Sequence, residues 1–129
     1  RSLSSELSYP RKGVQKKVNI TNRREDDVTV VIPVGSIDAV TAPELSEHLQ
    51  NLVNQGQNRL VVDMAGVDYI SSAGLRVFLG MVKETRGAGG DIRLAAMQTP
   101  VQKVLKLSGF TSILKTFDET EAAVASFAE

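Results

Sequence analysis

The sequence contains no cysteine and only one histidine, His48, among its 129 residues. The absence of cysteine excludes a disulfide framework and thiolate chemistry, and it is compatible with a reducing cytosol. A single imidazole also excludes a histidine-rich metal site, because such a site needs several histidine ligands. We expect His48 to be a partly buried or surface residue rather than a catalytic base.

The sequence also lacks an excess of charge and a long apolar run. Fifteen basic residues balance fifteen acidic ones, so no net field attracts the chain to nucleic acid or to a membrane. No apolar run approaches the roughly 18 residues that a membrane-spanning helix needs. The composition is that of a soluble globular domain, for which we expect a cytoplasmic location and neither a nucleic-acid nor a membrane partner.

Residues 1–17 differ in composition from the rest of the chain. They carry five basic side chains against one acid, Glu6, and show little apolar periodicity. We predict that they form a flexible arm or are a remnant of processing or of a tag, and that residues 18–129 form one domain. The chain begins at Arg1 without an initiator methionine or a signal-peptide pattern, which favours a processed, excised or tag-derived start. No aromatic interleaving supports a nucleic-acid-binding arm.

Strand and helix patterns alternate after the arm. Residues 18–21 and 28–34 have strand patterns on either side of a charged turn at 22–27, which predicts an antiparallel hairpin. Further strands are predicted at 59–64, 91–96 and 113–117, with a helix before or after each. The alternation predicts an α/β fold, a small mixed and mostly parallel sheet of four to five strands flanked by about four helices.

Two of the predicted helices carry specific signals. Thr41 and Glu44 have capping-box spacing, with Pro43 in the first turn. The helix after Thr99 should turn Val101, Val104, Leu105 and Leu107 inward. The helix beginning near Ser72 should expose Arg76, Lys83 and Glu84, and its apolar spacing predicts four buried residues: Leu75, Phe78, Leu79 and Val82.

The segment from residue 63 to residue 80 holds the candidate site. Ser71 and Ser72 stand where a strand, a short turn and a helix meet, so they lie at or beside a helix N-terminus. Free backbone N–H groups and the positive end of the helix dipole concentrate there. A hydroxyl at such a position can cap the helix, act as a nucleophile or accept a phosphate. Ser71 has the usual capping position, so Ser72 is the freer hydroxyl.

Two kinds of chemistry are not favoured by the residues around the serines. A nucleophile elbow needs glycine two residues before its serine, where this chain has Ile70, and the only histidine precedes both serines. A receiver-type phosphoacceptor at Asp63 would need Mg²⁺ and a second acidic cluster that the earlier strands do not offer. The residue pattern therefore leaves two hypotheses for the role of the serines. Either the serines only cap the helix, or Ser72 accepts a phosphate whose charge blocks partner docking without unfolding the protein.

Several motifs in order point to one family: VGSID at 34–38, LVVD at 60–63, VDYISSAGLR at 67–76, the glycine-rich turn at 87–90, IRLA at 92–95 and VQKVLKLSGF at 101–110. In these motifs the chain resembles STAS domains of the anti-sigma factor antagonist family, over about residues 18–127. The resemblance implies a STAS-type fold, no enzyme activity, no cofactor and a partner-switching cycle. In that cycle the unphosphorylated antagonist binds an anti-sigma factor serine kinase of the GHKL type and frees the sigma factor. The kinase then phosphorylates a serine of the motif, which releases the antagonist, and a PP2C-type phosphatase resets it.

The resemblance places the phosphoacceptor on Ser72, with Ser71 as the second choice. Ser71 stands where several members carry aspartate, and Ala73 where they often carry serine or threonine. No catalytic residue or metal ligand is expected. Parallel strands present their carboxyl ends on one side, so we predict a partner-binding surface there, made of Ser36, Asp38, Ser71, Ala73, Gly74, Leu75 and Arg76. The alternative function is a STAS module that serves as a structural or sensory part of a transporter or a larger signalling scaffold.

Overall fold

The structure is a computed structural model that describes residues 18–128. The predicted arm at 1–17 and the last residue of the predicted domain lie outside these residues. The strands are β1 Asn19–Glu25, β2 Val28–Ile37, β3 Arg59–Asp63, β4 Val67–Ile70, β5 Asp91–Ala95 and β6 Lys115–Phe117. The helices are α1 Ala42–Asn54, α2 Ser72–Gly87, α3 Thr99–Leu107 and α4 Thr120–Ser126, with a 3₁₀ turn at Phe110–Ser112. The predicted α/β class is confirmed.

The strands form a mixed, mostly parallel sheet in the order β1-β2-β3-β5-β6. Only β1 is antiparallel to its neighbour among the described strands, and the other pairings are parallel. β4 lies off this path and pairs with the end of β2. The prediction of four to five strands missed β4, because its four residues are too few to show a strand period; only Val67 and Ile70, at its ends, are buried.

The hairpin is confirmed, but its predicted turn at 22–27 was too long. β1 continues to Glu25, and Asp26 and Asp27 alone form the turn, with Asp26 at a positive φ of 59°. The charged residues of β1 fit a strand because β1 is an edge strand whose side chains are mostly exposed. Charged side chains on an edge strand also discourage pairing with other chains.

β2 changes partner along its length, and this change positions the candidate site. Its residues 29–31 pair with β3, whereas residues 35–37 pair with β4. The register shifts between Gly35 and Ser36, where Gly35 has a φ of 128° that side-chain-bearing residues rarely adopt. The pairing with β3 ends at Val31, two residues before Pro33, and β2 runs on to Ile37 beside Ile70.

Two apolar clusters cover opposite faces of the sheet. The larger cluster joins α1, α2 and α3 to the sheet through residues such as Leu49, Phe78, Leu105, Val62 and Leu94. The smaller one packs α4 against the other face, with Val30, Val61 and Ala123 fully buried. Successive strand residues point to opposite faces, so Val61 and Val62 belong to different clusters. α2 is thus held against the sheet face that the larger cluster covers.

Two predictions of helix burial were wrong. On α2, Leu75, Phe78 and Val82 are buried and Arg76, Lys83 and Glu84 are exposed as predicted, but Leu79 is 36% exposed. The buried stripe runs through Met81 and Thr85 instead, and Leu79 lies at its border. On α3, Val101 and Leu105 are buried and Val104 is half-buried. Leu107 is 89% exposed, since it lies about 200° around the helix from Leu105.

Candidate functional site

The two serines have different surroundings at the start of α2. Ser71 is the N-cap, and its hydroxyl oxygen accepts a hydrogen bond from the backbone N–H of Gly74 at 3.3 Å. The backbone N–H of Ser71 donates to the carbonyl oxygen of Ile37 at 2.8 Å. Ser72, the first helical residue, is exposed, and its hydroxyl has no hydrogen-bond partner within residues 18–128. The predicted capping role of Ser71 is confirmed, and Ser72 presents the available hydroxyl.

Gly74 allows the first turn of α2 to rest directly on the ends of β2 and β4. A Cβ at this position would lie 2.7 Å from Cγ2 of Ile37 and 2.8 Å from Cγ1 of Ile70. It would also lie 3.3 Å from the carbonyl oxygen of Ile37. Only glycine fits without a shift of its neighbours, so Gly74 fixes the distance between the serines and the loop after β2.

Gly74→Ala should therefore destabilise the fold by about 1–3 kcal/mol, the usual cost of overpacking a closed site. Gly80→Ala is the matched control on the same helix, because a Cβ at Gly80 meets nothing within 4 Å. There the better helix propensity of alanine should stabilise by about 0.5–1 kcal/mol. Urea denaturation of both variants measures the difference, and equal effects would contradict the close contact at Gly74.

The loop after β2 is shaped by Asp38 and Thr41. One carboxylate oxygen of Asp38 accepts hydrogen bonds from the backbone N–H groups of Val40 and Thr41, at 2.9 and 3.0 Å. The hydroxyl of Thr41 donates to the carbonyl oxygen of Ser36 at 2.7 Å and accepts from the backbone N–H of Asp38. The predicted capping box was wrong, because the Thr41 hydroxyl serves this loop and makes no cap bond to α1. Pro43 does lie in the first turn of α1.

The structure brings the predicted surface residues together at one end of the sheet. The hydroxyl of Ser36 donates to a carboxylate oxygen of Asp68 on β4 at 2.8 Å, which ties the β2 end to the segment before the serines. Ser72 and Arg76 are exposed, whereas the other predicted residues are less accessible. Ser36, Asp38, Ser71 and Ala73 are half-buried, and Gly74 and Leu75 are buried. Gly74 and Leu75 therefore support this surface from beneath.

Two exposed apolar side chains adjoin these residues and were not predicted. Val40, in the Asp38 loop, is 56% exposed, and Tyr69, opposite Ser36 in the strand pairing, is 52% exposed. The sequence did offer a signal in Val40, an apolar residue within an otherwise small and polar loop. Tyr69 gave none, because β4 was not recognised. Together they add apolar area to an end of the molecule that is otherwise polar.

His48 is remote from this chemistry. Its Nε2 lies 2.8 Å from Oδ1 of Asn22 on β1, so its ring pairs with the edge strand rather than with a serine. Burial lowers the pKa of His48, and the nearby Glu44 carboxylate opposes that shift. The predicted half-buried position of His48 is confirmed. The His48 ring therefore links α1 to β1 through its contact with Asn22.

Residues 18–128 contain no cluster of three or more histidine, aspartate or glutamate side chains that could hold a metal ion. None of the helices in this range has both the length and the apolar character needed to cross a membrane.

Comparison with known proteins places these features in a family. The STAS domain family model matches residues 19–123. BtrV of Bordetella bronchiseptica, a proposed anti-sigma factor antagonist, is 34% identical over 110 residues, which cover 85% of this chain and 95% of BtrV. The anti-sigma-B factor antagonist of Bacillus subtilis is 31% identical over 102 residues, which cover 79% of this chain and 92% of that protein.

The fold has close solved counterparts. The crystal structure of a proposed anti-sigma factor antagonist from Thermotoga maritima superposes with a TM-score of 0.81 at 22% identity. The match covers 85% of this chain and 95% of that one. At this identity the likeness establishes the shared fold.

Proposed function

The chain belongs to the STAS domain family, and from that premise we propose that it is an anti-sigma factor antagonist that switches partners through phosphorylation of Ser72. One observation carries the proposal. Ser72 is exposed at the first position of α2 with its hydroxyl unengaged by residues 18–128, while the neighbouring Ser71 holds the cap. A kinase can thus modify Ser72 without removing the bond that starts the helix.

The local electrostatics explain why the fold would tolerate this phosphate. A phosphoserine carries about −1.5 to −2 charges at neutral pH. The N-terminus of a helix stabilises such a charge through its free N–H groups and its dipole. The first turn of α2 holds no acidic residue that would repel the phosphate. The modification therefore changes the surface while the helix stays in place.

The partner-binding surface consists of Ser36 at the end of β2, Asp38 and Val40 in the loop after it, Tyr69 on β4, and the exposed start of α2. Tyrosine and arginine are enriched among the residues that contribute most to binding at interfaces, and this surface exposes Tyr69 and Arg76. In the unphosphorylated state they are available to an anti-sigma factor kinase of the GHKL type, whose capture frees the sigma factor. A phosphate on Ser72 adds bulk and charge to this surface, and desolvating it against a partner is unfavourable.

The proposed cycle assigns the chemistry to the partners. The kinase transfers the γ-phosphoryl group of ATP to the Ser72 hydroxyl oxygen and releases ADP, and the hydroxyl proton leaves to the kinase or to solvent. A phosphatase of the PP2C type cleaves the phosphate ester with water and restores the serine. This chain is the substrate of both reactions and contributes no catalytic group in this proposal.

Binding of the cognate anti-sigma factor kinase tests the proposal directly. The unmodified chain should bind, and a chain carrying phosphoserine at residue 72 should bind at least about tenfold more weakly, because the charge lies within the contact surface. Calorimetric titration with each form measures this ratio. A chain carrying phosphoserine at residue 46, on α1, controls for added charge, and equal affinity of all three forms would exclude the switch.

A further inference from the structure

The segments that build the site contain a single cation. Residues 33–41, which hold the end of β2 and the loop after it, and residues 67–82, which hold β4 and most of α2, have no lysine and one arginine, Arg76. Their carboxylates are those of Asp38 and Asp68. Arg76 is therefore the only positive side chain in these segments that a phosphate on Ser72 could pair with.

Arg76 differs from the other arginines of the described chain. Arg23, Arg59, Arg86 and Arg93 form ion pairs, and Arg24 donates to Thr29 and Gln57. The guanidinium of Arg76 has neither an ion pair nor a hydrogen bond within residues 18–128, and the side chain is exposed. Its charge is therefore available to a new anion.

The helix places Arg76 one turn from Ser72. Residues four apart on an α-helix lie on the same face, with their Cβ atoms about 5–6 Å apart. The favourable orientation has the acid four residues before the base, which is the arrangement that a phosphate on Ser72 would create. A guanidinium also matches the oxygens of a phosphate with two parallel hydrogen bonds.

We propose that Arg76 is the counter-ion of phosphorylated Ser72, and that phosphorylation thereby withdraws Arg76 from the partner surface. This inference rests on the proposed phosphorylation and adds a second effect to it. In the unmodified chain, Arg76 is free to meet a carboxylate of the partner. In the phosphorylated chain the same guanidinium is held by the phosphate, so the surface loses an attractive charge as well as gaining a repulsive one.

The second pKa of the phosphate depends on whether Arg76 pairs with it, so the test needs no kinase. Phosphoserine is incorporated at residue 72 during translation, and the second pKa of the phosphate, ordinarily about 6, is measured by ³¹P NMR titration. A nearby guanidinium favours the dianion, so Arg76→Gln should raise this pKa by about 0.3 unit, the size expected for a pair one turn apart. The difference should shrink in 1 M salt, where the screening length falls to about 3 Å.

Lys83→Gln is the matched control, because Lys83 is exposed on the same helix but lies about 16 Å from Ser72 along the helix axis. It should leave the phosphate pKa unchanged, whereas Arg76→Lys should retain part of the effect. Equal pKa values in the parent chain and Arg76→Gln, with circular dichroism unchanged, would overturn the assignment. Failure of a kinase to modify Ser72 would instead count against the proposed function, so the two outcomes are separable.

Discussion

Ser72→Ala should abolish phosphate incorporation by the cognate anti-sigma factor kinase. The expected effect is complete loss, because Ser72 supplies the only exposed hydroxyl at the start of α2, and Ala73 has none. Ser71→Ala should still be phosphorylated, with a loss of stability of about 1 kcal/mol from the missing cap. Incubation with the kinase and ATP, followed by fragment mass spectrometry, locates the phosphate in each variant.

The same variants separate the switch from a purely structural role of the serines. Ser72→Ala keeps the partner surface and cannot be phosphorylated at residue 72. It should therefore stay bound to the kinase in the presence of ATP. Ser72→Asp should weaken binding only in part, because one carboxylate has less charge and fewer acceptor oxygens than a phosphate. Phosphate found on Ser71 alone, or on neither serine of the parent chain, would remove the basis of the Ser72 assignment.

The sequence predicted the elements that have strong local patterns. β3, β5 and α2 combine β-branched runs or a helical apolar period with a clear end, and they lie within a residue or two of their predicted positions. β4 could not be predicted in this way. Its four residues become a strand because the β2 bulge at Gly35 and Ser36 turns the end of β2 toward them. That pairing joins residues 35–37 to 67–70, and no local window contains both.

The candidate site likewise has features that the sequence predicted and features that depend on long-range contacts. The rule that parallel strands end on one side was enough to predict that residues 36–38 lie near the serines. The contacts that set the geometry were not predictable, because each depends on long-range or competing bonds. Gly74 packs against Ile37, and the Thr41 hydroxyl donates to the carbonyl oxygen of Ser36 and makes no cap bond to α1. Helical spacing likewise predicted which face of α2 is buried but not how wide the buried stripe is.

Phe78 and Leu79 provide the sharpest test of that stripe, because they are adjacent apolar residues with opposite surroundings. Phe78 is fully buried in the cluster that holds α2 to the sheet, and Leu79 is 36% exposed. Phe78→Ala should destabilise the fold by about 3–5 kcal/mol through lost contacts and a residual cavity. Leu79→Ala should cost less than about 1 kcal/mol, since much of that side chain already meets solvent.

Urea denaturation with a common m-value compares the two variants. The result also bears on the site, since α2 carries Ser72 at its first position and Phe78 anchors the helix less than two turns further on. A weakened anchor should loosen the start of α2, so Phe78→Ala should also reduce hydrogen-exchange protection of the α2 amides, while Leu79→Ala should not. Equal destabilisation by both substitutions would mean that α2 is rotated relative to the sheet, and that Ser72 and Arg76 do not share the exposed face described here.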